Sequence, residues 1–378
     1  MLQNQKTAIT EFEGLRGLLA LWVLLGHWGT TVALSFAPLK ADLWNVQAVD
    51  VFIILSGFVI ALLLSRGPQD YVEYLQRRWL RLWPTFIVVM AISLAFMPYA
   101  QTVLEQGGGV MRETRLEIMA NSLHYFWQNI LTHIFMLHGA VPNRFVPQGA
   151  YAFVGQAWSI SLEWQFYIVA PFIMWALRYR HNKFVLAALI VSIALIIAPS
   201  RYFTPAYLGN KLHLFAIGAL SFYLWQRMVN EGRWISLKHM RQITLAIIAV
   251  AAITRFEALL GIAVWAAALH IVLASRHPAQ AKEGRAAALL NLRPVQYLGY
   301  ISYPLYMVHF IVMLAVAGAL HPLALPPAQF AAALLVLATL GSIAAAALLS
   351  VLVERPGMAL AKRLKRKPAP GMASTASA

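Results

Sequence analysis

Arg16 and His27 stand eleven residues apart in the run FEGLRGLLALWVLLGH. On an α-helix that spacing rises about 16.5 Å over just more than three turns, so both side chains face one direction. An arginine on that face could hold an anion arriving at one end of the helix. A histidine three turns on could act as general base at the anion's reactive end. The plainer alternatives are an arginine reaching back to lipid headgroups and a histidine bonded to a neighbouring helix.

Ionisable groups inside apolar segments are costly and mark functional positions by default, so the rest of this short set is informative. Asp50 opens the run VDVFIILSGF, with Ser56 and Gly57 one to two turns further on. Asp50 could be a helix cap, and the small pair allows close helix packing. Glu163 lies in WSISLEWQFY among Trp158, Trp164 and Tyr167. It could orient a histidine, bind a sugar hydroxyl or form an ion pair, and the aromatics alone could be an interfacial belt. His309 ends GYISYPLYMVH, after Tyr303, Pro304 and Tyr306; acceptor binding and helix packing are both open to it. Arg77, Arg78 and Arg81 sit in RRWLRLWP. Planar guanidinium groups suit phosphate recognition, and the same cluster could set topology or bind anionic lipid.

The elements that position these groups follow from composition. The chain has 378 residues, 60% hydrophobic and 12% charged, with a mean hydropathy of +0.65. A soluble domain carries about 25% charged residues, so the balance argues against a water-soluble enzyme. The sequence predicts an all-α integral membrane protein of about ten spanning helices: Gly14–Ser35, Ala48–Ser65, Leu82–Ala100, Ser159–Leu177, Phe184–Pro199, Lys211–Gln226, Gln242–Thr254, Phe256–Ala274, Leu298–Gly318 and Gln329–Leu352. Each span needs ~20 mostly apolar residues. The first is expected to be a retained span, because no small-residue cleavage site follows a charged start.

The net charge is +16. Its distribution points to membrane topology and membrane lipids, and not to nucleic acid: basic residues cluster in alternate loops, as at Arg66, Arg77, Arg78 and Arg81, at Arg178, Arg180 and Lys183, and in the tail. Basic loops face the cytoplasm, which places both termini there. The stretch Gln101–Ala157 is expected to be a long external loop between the third and fourth helices, with Leu123–Val141 interfacial or re-entrant, or else an eleventh span. Residues 1–356 form the transmembrane domain and 357–378 a basic, disordered cytoplasmic tail. There is no cysteine, which excludes disulfides, thiol nucleophiles and cysteine metal sites. No HExxH cluster occurs, and no metal is expected.

Taken together, the runs FEGLRGLLALWVLLGH, VDVFIILSGF, RRWLRLWP, WSISLEWQFYIVAP, LGYISYPLYMVH and VERP resemble the signature blocks of the acyltransferase family 3 membrane proteins, in order from Phe12 to Pro356. The resemblance implies an integral membrane enzyme. It would move an acyl group, usually acetyl from acetyl-CoA, to a hydroxyl of a carbohydrate or other extracytoplasmic acceptor, in the bacterial inner membrane. Acyl-CoA would be a donor substrate, with no permanently bound cofactor. The family's Arg-x10-His motif falls on Arg16 and His27, its Arg-x-x-Arg motif on Arg78 and Arg81, its SGF block on Ser56, Gly57 and Phe58, and its helix 4 acid on Glu163. Glu13 stands where an aspartate is common, which keeps the charge. No SGNH-type esterase domain is expected after the tenth helix, and a relay to one would need another protein.

On these grounds His27, Arg16, Glu163 and Asp50 are the expected catalytic set. Arg77, Arg78, Arg81 and Ser56 are expected to bind acyl-CoA. Tyr303, His309 and Trp158 bind the acceptor or hold the fold. A secondary transporter or flippase for a glycan or lipid-linked substrate, using the same buried groups as a pathway, is the alternative.

Overall fold

The computed structural model describes residues 9–32, 43–67, 70–107, 111–254, 257–279 and 284–363. Most of the basic tail expected from residue 357, together with the loop holding Lys40 and Asp42, lies outside them. All described regular structure is helical: α1 (Thr10–Thr31), α2 (Leu43–Ser65), α3 (Tyr71–Gln106), α4 (Arg112–His124), α5 (Phe126–Ile134), α6 (Trp158–Arg178), α7 (Lys183–Ile197), α8 (Leu208–Trp225), α9 (Leu237–Thr254), α10 (Glu257–Ala274), α11 (Arg285–Leu290), α12 (Arg293–Tyr300), α13 (Ser302–Leu320), α14 (Pro327–Leu349) and α15 (Arg355–Arg363).

Among the described residues, helices fall within each of the ten ranges expected from the sequence, the ninth being broken at Ile301 between α12 and α13. Among the described residues, seven segments are long and apolar enough to cross a membrane: Asn45–Ser65, Tyr71–Gln106, Gly155–Arg178, Lys183–Tyr202, Leu237–Thr254, Ser302–Leu323 and Pro327–Arg363. The other three expected spans are α1, α8 and α10. Polar groups dilute two of them, Arg16 and His27 in α1 and Asn210, Lys211 and His213 in α8, while the apolar stretch of α10 is short, Leu259–Ala274.

The stretch Leu123–Val141 is not a span. Its helix breaks at Tyr125, where φ is −102° and ψ 38°, and α5 has only nine residues, about 13.5 Å of rise. The chain then runs through short 3-10 turns at His138–Ala140, Gly149–Tyr151 and Gly155–Ala157 into α6.

Local chemistry sets the ends of the long helices. Asp70 caps α3, its carboxylate accepting from Glu73 N at 2.8 Å, which satisfies a donor left free at the helix start. Glu11 and Glu13 lie in the first turn of α1, where carboxylates oppose the positive end of the helix dipole. Glu11 is buried and receives both terminal nitrogens of Arg276, at 2.7 and 2.8 Å, tying the start of α1 to the turn after α10. At 36 residues, α3 is about 54 Å long, well beyond a hydrocarbon core of about 30 Å. Its RRWLRLW portion lies near one end.

Two glycines let α2 and α8 lie backbone to backbone. A Cβ on Gly57 would collide with the carbonyl oxygen of Phe215, and one on Gly218 with that of Ile54, which is small-residue packing within an apolar solvent. Beside this seam, Phe12, Phe58, Phe222, Trp225 and Trp265 form an edge-and-stack aromatic cluster. Trp265 donates its indole N–H to Ser221 Oγ at 2.9 Å. At the other end of the chain, α14 widens into a π turn at Ser350–Glu354 before α15, and α15 packs against α3.

Candidate active site

Two cavities lie in succession along α1, α2, α3, α6 and α13. The inner one, about 190 Å³, is lined by Glu13 and Arg16 of α1, Ser56 of α2, Arg81 of α3, Glu163 and Tyr167 of α6, and Tyr303 and Tyr306 of α13. The outer one, about 280 Å³, is lined by Val23, His27 and Thr30 of α1, Val49 of α2, Met97 and Leu104 of α3, Gln156 and Trp158 at the start of α6, and Tyr306, Phe310 and Leu314 of α13. Along α1, α2, α3 and α13 the two sets occupy successive stretches, and on α6 the boundary falls between Trp158 and Ser159. Tyr306 lines both.

The inner cavity is polar, and α6 shows why. Ser159, Glu163 and Tyr167 follow at intervals of four residues and so share one face. The opposite side carries Ser161 and Gln165, which serve the fold: Ser161 Oγ accepts from Gly139 N at 2.9 Å and Gln165 donates to Ala206 O at 3.0 Å. On the cavity face, Glu163 Oε1 accepts from Ser56 Oγ at 3.0 Å and from the Tyr167 hydroxyl. The Arg78 guanidinium lies 5.8 Å from the centroid of the Tyr167 ring. Arg16 meets Glu13 at 3.3 Å. The charge of Arg81 interacts with Glu163, Glu13 and Glu354, so this guanidinium sits among carboxylates. Tyr303 donates to Leu82 O at 2.6 Å.

A phenol and an amide build the partition between the cavities. Tyr306 donates to Gln156 O at 2.6 Å and pairs with Ser159 Oγ at 2.8 Å. Gln156 in turn donates from Nε2 to Met307 O at 2.6 Å. The last 3-10 turn before α6 is thereby fastened to α13.

Beyond this partition the walls become apolar, and His27 faces the space from α1. Its ring is 5.2 Å from that of His309 and 5.4 Å from that of Phe310, centroid to centroid. Arg115, from α4, also lines the cavity. It donates to Thr30 Oγ1 at 3.0 Å and Thr31 Oγ1 at 3.5 Å and stacks on Phe310 at 4.5 Å. Both threonine hydroxyls donate to the carbonyl of His27. Thus α4 closes over the last turn of α1. The segment behind it is pinned by His133 and His138, stacked 4.0 Å apart beside Phe86. His133 donates from Nδ1 to Asn129 O at 2.7 Å and His138 from Nε2 to Ala157 O at 3.1 Å. Burial pushes His133 down to about 4, and it pushes His138 below the usual histidine range.

The residues expected from the sequence separate into three groups. Arg16, Arg81, Ser56, Glu163 and Tyr303 meet in the inner cavity. His27 and Trp158 line the outer one, with His309 against His27. Asp50, Arg77 and Arg78 line neither cavity. Asp50 is buried in an ion pair with Lys211 at 2.8 Å, on the α2–α8 face, so the structure does not place it where it could orient His27 or an acceptor. Arg77 pairs with Glu73 one turn back on α3, and Arg78 sits just beyond the inner cavity over Tyr167.

Sequence reasoning passed over Arg115, Gln156 and Glu354. Arg115 lies in a polar stretch that reads as solvated loop, and Gln156 carries no motif. Glu354 was within a quoted run, VERP, and its burial at the Arg16–Arg81 end shows only once α14 and α15 are folded against α3.

No curated protein and no solved structure matches the chain. A family described as "Acyltransferase domain" matches residues 9–350, a range that includes both cavities and every helix that lines them. By this match over most of its length, with a histidine in one cavity and paired arginines and carboxylates in the other, the chain belongs to acyltransferase family 3.

Proposed function

We propose that this membrane acyltransferase moves an acetyl group from cytosolic acetyl-CoA to a hydroxyl of a carbohydrate acceptor presented on the far side of a bacterial inner membrane. The observation that carries the reading is the succession of the two cavities, with Tyr306 common to both. The basic residues of alternate loops orient the chain with its termini in the cytoplasm. The inner cavity, at the N-terminal end of α1, then opens toward the donor, and the outer cavity toward the acceptor.

The CoA phosphates rest on Arg77 and Arg78 at the cytoplasmic end of α3, where guanidinium groups make charge-assisted bonds. Arg81 and Arg16, already among carboxylates, are better suited to hydrogen-bonding the pantetheine amides and the thioester carbonyl than to neutralising a diphosphate. Ser56 and Glu163 line the same passage. The thioester passes Tyr306 and meets His27. The acceptor hydroxyl, held by Arg115, Trp158 and Gln156, gives its proton to His27 as its oxygen attacks the carbonyl. The C–S bond then breaks and His27 returns the proton to the CoA thiolate. Direct transfer needs no resident cofactor and no metal.

The test is purified protein in lipid nanodiscs with radiolabelled acetyl-CoA and membrane glycans as acceptor. Release of CoA with label in an alkali-labile ester is expected. Binding of acetyl-CoA without turnover, or flux of a glycan without turnover, overturns the reading. Mass spectrometry of surface glycans from cells with and without the protein then identifies the acylated sugar.

A further inference from the structure

A general base must present a bare nitrogen to its substrate, so its other nitrogen must hold the hydrogen. Two nitrogens buried in this region have no hydrogen-bond partner: Nδ1 of His27 and Nε2 of His309. The two rings lie 5.2 Å apart, tilted by 33°, across the contact between α1 and α13. His309 is completely buried. Its Nδ1 lies 2.8 Å from Tyr306 O and 3.3 Å from Leu305 O. A carbonyl oxygen only accepts, so Nδ1 of His309 carries the hydrogen and, in the neutral ring, Nε2 is a lone pair. A buried acceptor left unpaired calls for a physical explanation, and a donor on the facing imidazole supplies one.

We propose that His309 is a positioning residue that sets the tautomer of His27. Its Nε2 accepts from His27 Nδ1–H, directly after a small rotation of either ring or through one bridging water. Nε2 of His27 is then the bare nitrogen that takes the acceptor's proton. The chain of constraint runs from the Tyr306 carbonyl to His309 and on to His27, so the residue that partitions the two cavities also orients the base. Several groups near the pair are committed elsewhere. Thr30 and Thr31 donate to the backbone carbonyl of His27 and not to its ring. Arg115 donates to Thr30 Oγ1 and Thr31 Oγ1 and stacks on Phe310. The Tyr306 hydroxyl is committed to Gln156 and Ser159.

The inference rests on His27 being the base and adds no new co-reactant. As the hydroxyl oxygen bonds to the acyl carbon, its proton moves to His27 Nε2, and the imidazolium keeps its Nδ1–H on the His309 lone pair. When the C–S bond breaks, its electron pair goes to sulfur and the Nε2 proton follows it. His309 gains and loses no proton.

The substitutions discriminate by atom position. His309→Asn keeps a donor near Nδ1 for the Tyr306 carbonyl but has nothing at the Nε2 position. His309→Gln reaches that position with an amide oxygen, and His309→Leu removes both groups. Acetyl-CoA turnover is measured on the full chain in nanodiscs, with methyl β-D-glucopyranoside as probe acceptor. The Asn and Leu variants are expected to lose about 10- to 100-fold in kcat, as when a group orienting a functional histidine is removed, with KM for acetyl-CoA unchanged. Gln is expected to restore most of the rate. Wild-type kcat in His309→Asn, or equal losses in all three variants, overturns the proposal. A second readout is independent of turnover and of whether any variant folds: nitrogen NMR of wild-type protein with labelled histidine is expected to show hydrogen on His27 Nδ1. Hydrogen on Nε2 instead overturns the proposal. If the tautomer is as expected but His27→Ala still turns over acetyl-CoA at the wild-type rate, the role of His27 as general base proposed above fails and the His309–His27 pairing stands.

Discussion

In the inner cavity two guanidinium groups, Arg16 and Arg81, meet two carboxylates, Glu13 and Glu163. In the outer cavity, along the same five helices, Met97, Leu104, Ile118, Phe153 and Leu314 form much of the wall, and Arg115 is the formal charge among the described lining residues. The inner chamber can hold a polar, extended molecule by many hydrogen bonds without demanding net charge. The outer one surrounds His27 with mostly apolar walls, and in a medium of low dielectric each remaining electrostatic contact counts for more. On the proposed function the contrast separates donor binding from acceptor binding and chemistry, so a substitution in one chamber should leave the other substrate's KM alone.

The strongest way to break this division is His27→Ala. Transfer should fall about 100- to 10,000-fold, the usual contribution of a positioned general base, while the protein still inserts in the membrane and binds acetyl-CoA. Full turnover in that variant would refute the assignment of chemistry to the outer chamber. Glu163→Gln probes the inner chamber. It weakens the acceptor of the Ser56 and Tyr167 hydrogen bonds, and a lost charge-assisted bond is worth about 1.5–3 kcal/mol. The kcat/KM for acetyl-CoA should drop about 10- to 100-fold with the acceptor KM unmoved; a change confined to the acceptor KM would reverse the two chambers.

A smaller effect is expected from Arg115→Gln, about tenfold in acceptor KM for the loss of one hydrogen bond to a charged group, with the donor KM constant. A donor effect of similar size would mean that Arg115 reaches past Tyr306.

The smallest effect is on stability. His133 and His138 are buried neutral under the outer chamber, His133 at about 4. Between pH 6.5 and about 4 the unfolded chain binds protons that the folded one refuses, so stability rises with pH across that window and is lost as pH falls through it. The loss for His133 amounts to roughly 3 kcal/mol by pH 4. Thermal unfolding at pH 7.5, 6 and 5 should show the midpoint falling. His133→Phe should flatten the slope, and an unchanged slope would remove this segment from the acid response.

What could be read from the sequence was what depends on local periodicity. Arg16 and His27 fall on one stripe because both belong to one helix, and the two cavities lie in the order that their spacing requires. The same holds for Ser159, Glu163 and Tyr167. Asp50 misled because its partner, Lys211, is far away in sequence; burial and a position in a motif look alike whether a carboxylate serves a site or a helix seam. Arg115 was invisible for the opposite reason. Its helix has one buried residue, Ser122, so nothing in its pattern distinguishes it from a solvated segment, and only the fold lays it over α1. Leu123–Val141 has the apolar content of a span, and its break at Tyr125 has no glycine or proline to announce it.

The tyrosine between the chambers has a bearing on the membrane itself. With its hydroxyl engaged on Gln156 and Ser159, a single aromatic side chain lines both cavities. On the function proposed above, such a septum would let an acyl group change hands without a continuous water column, and the transfer would then leave the ion gradients of the membrane intact.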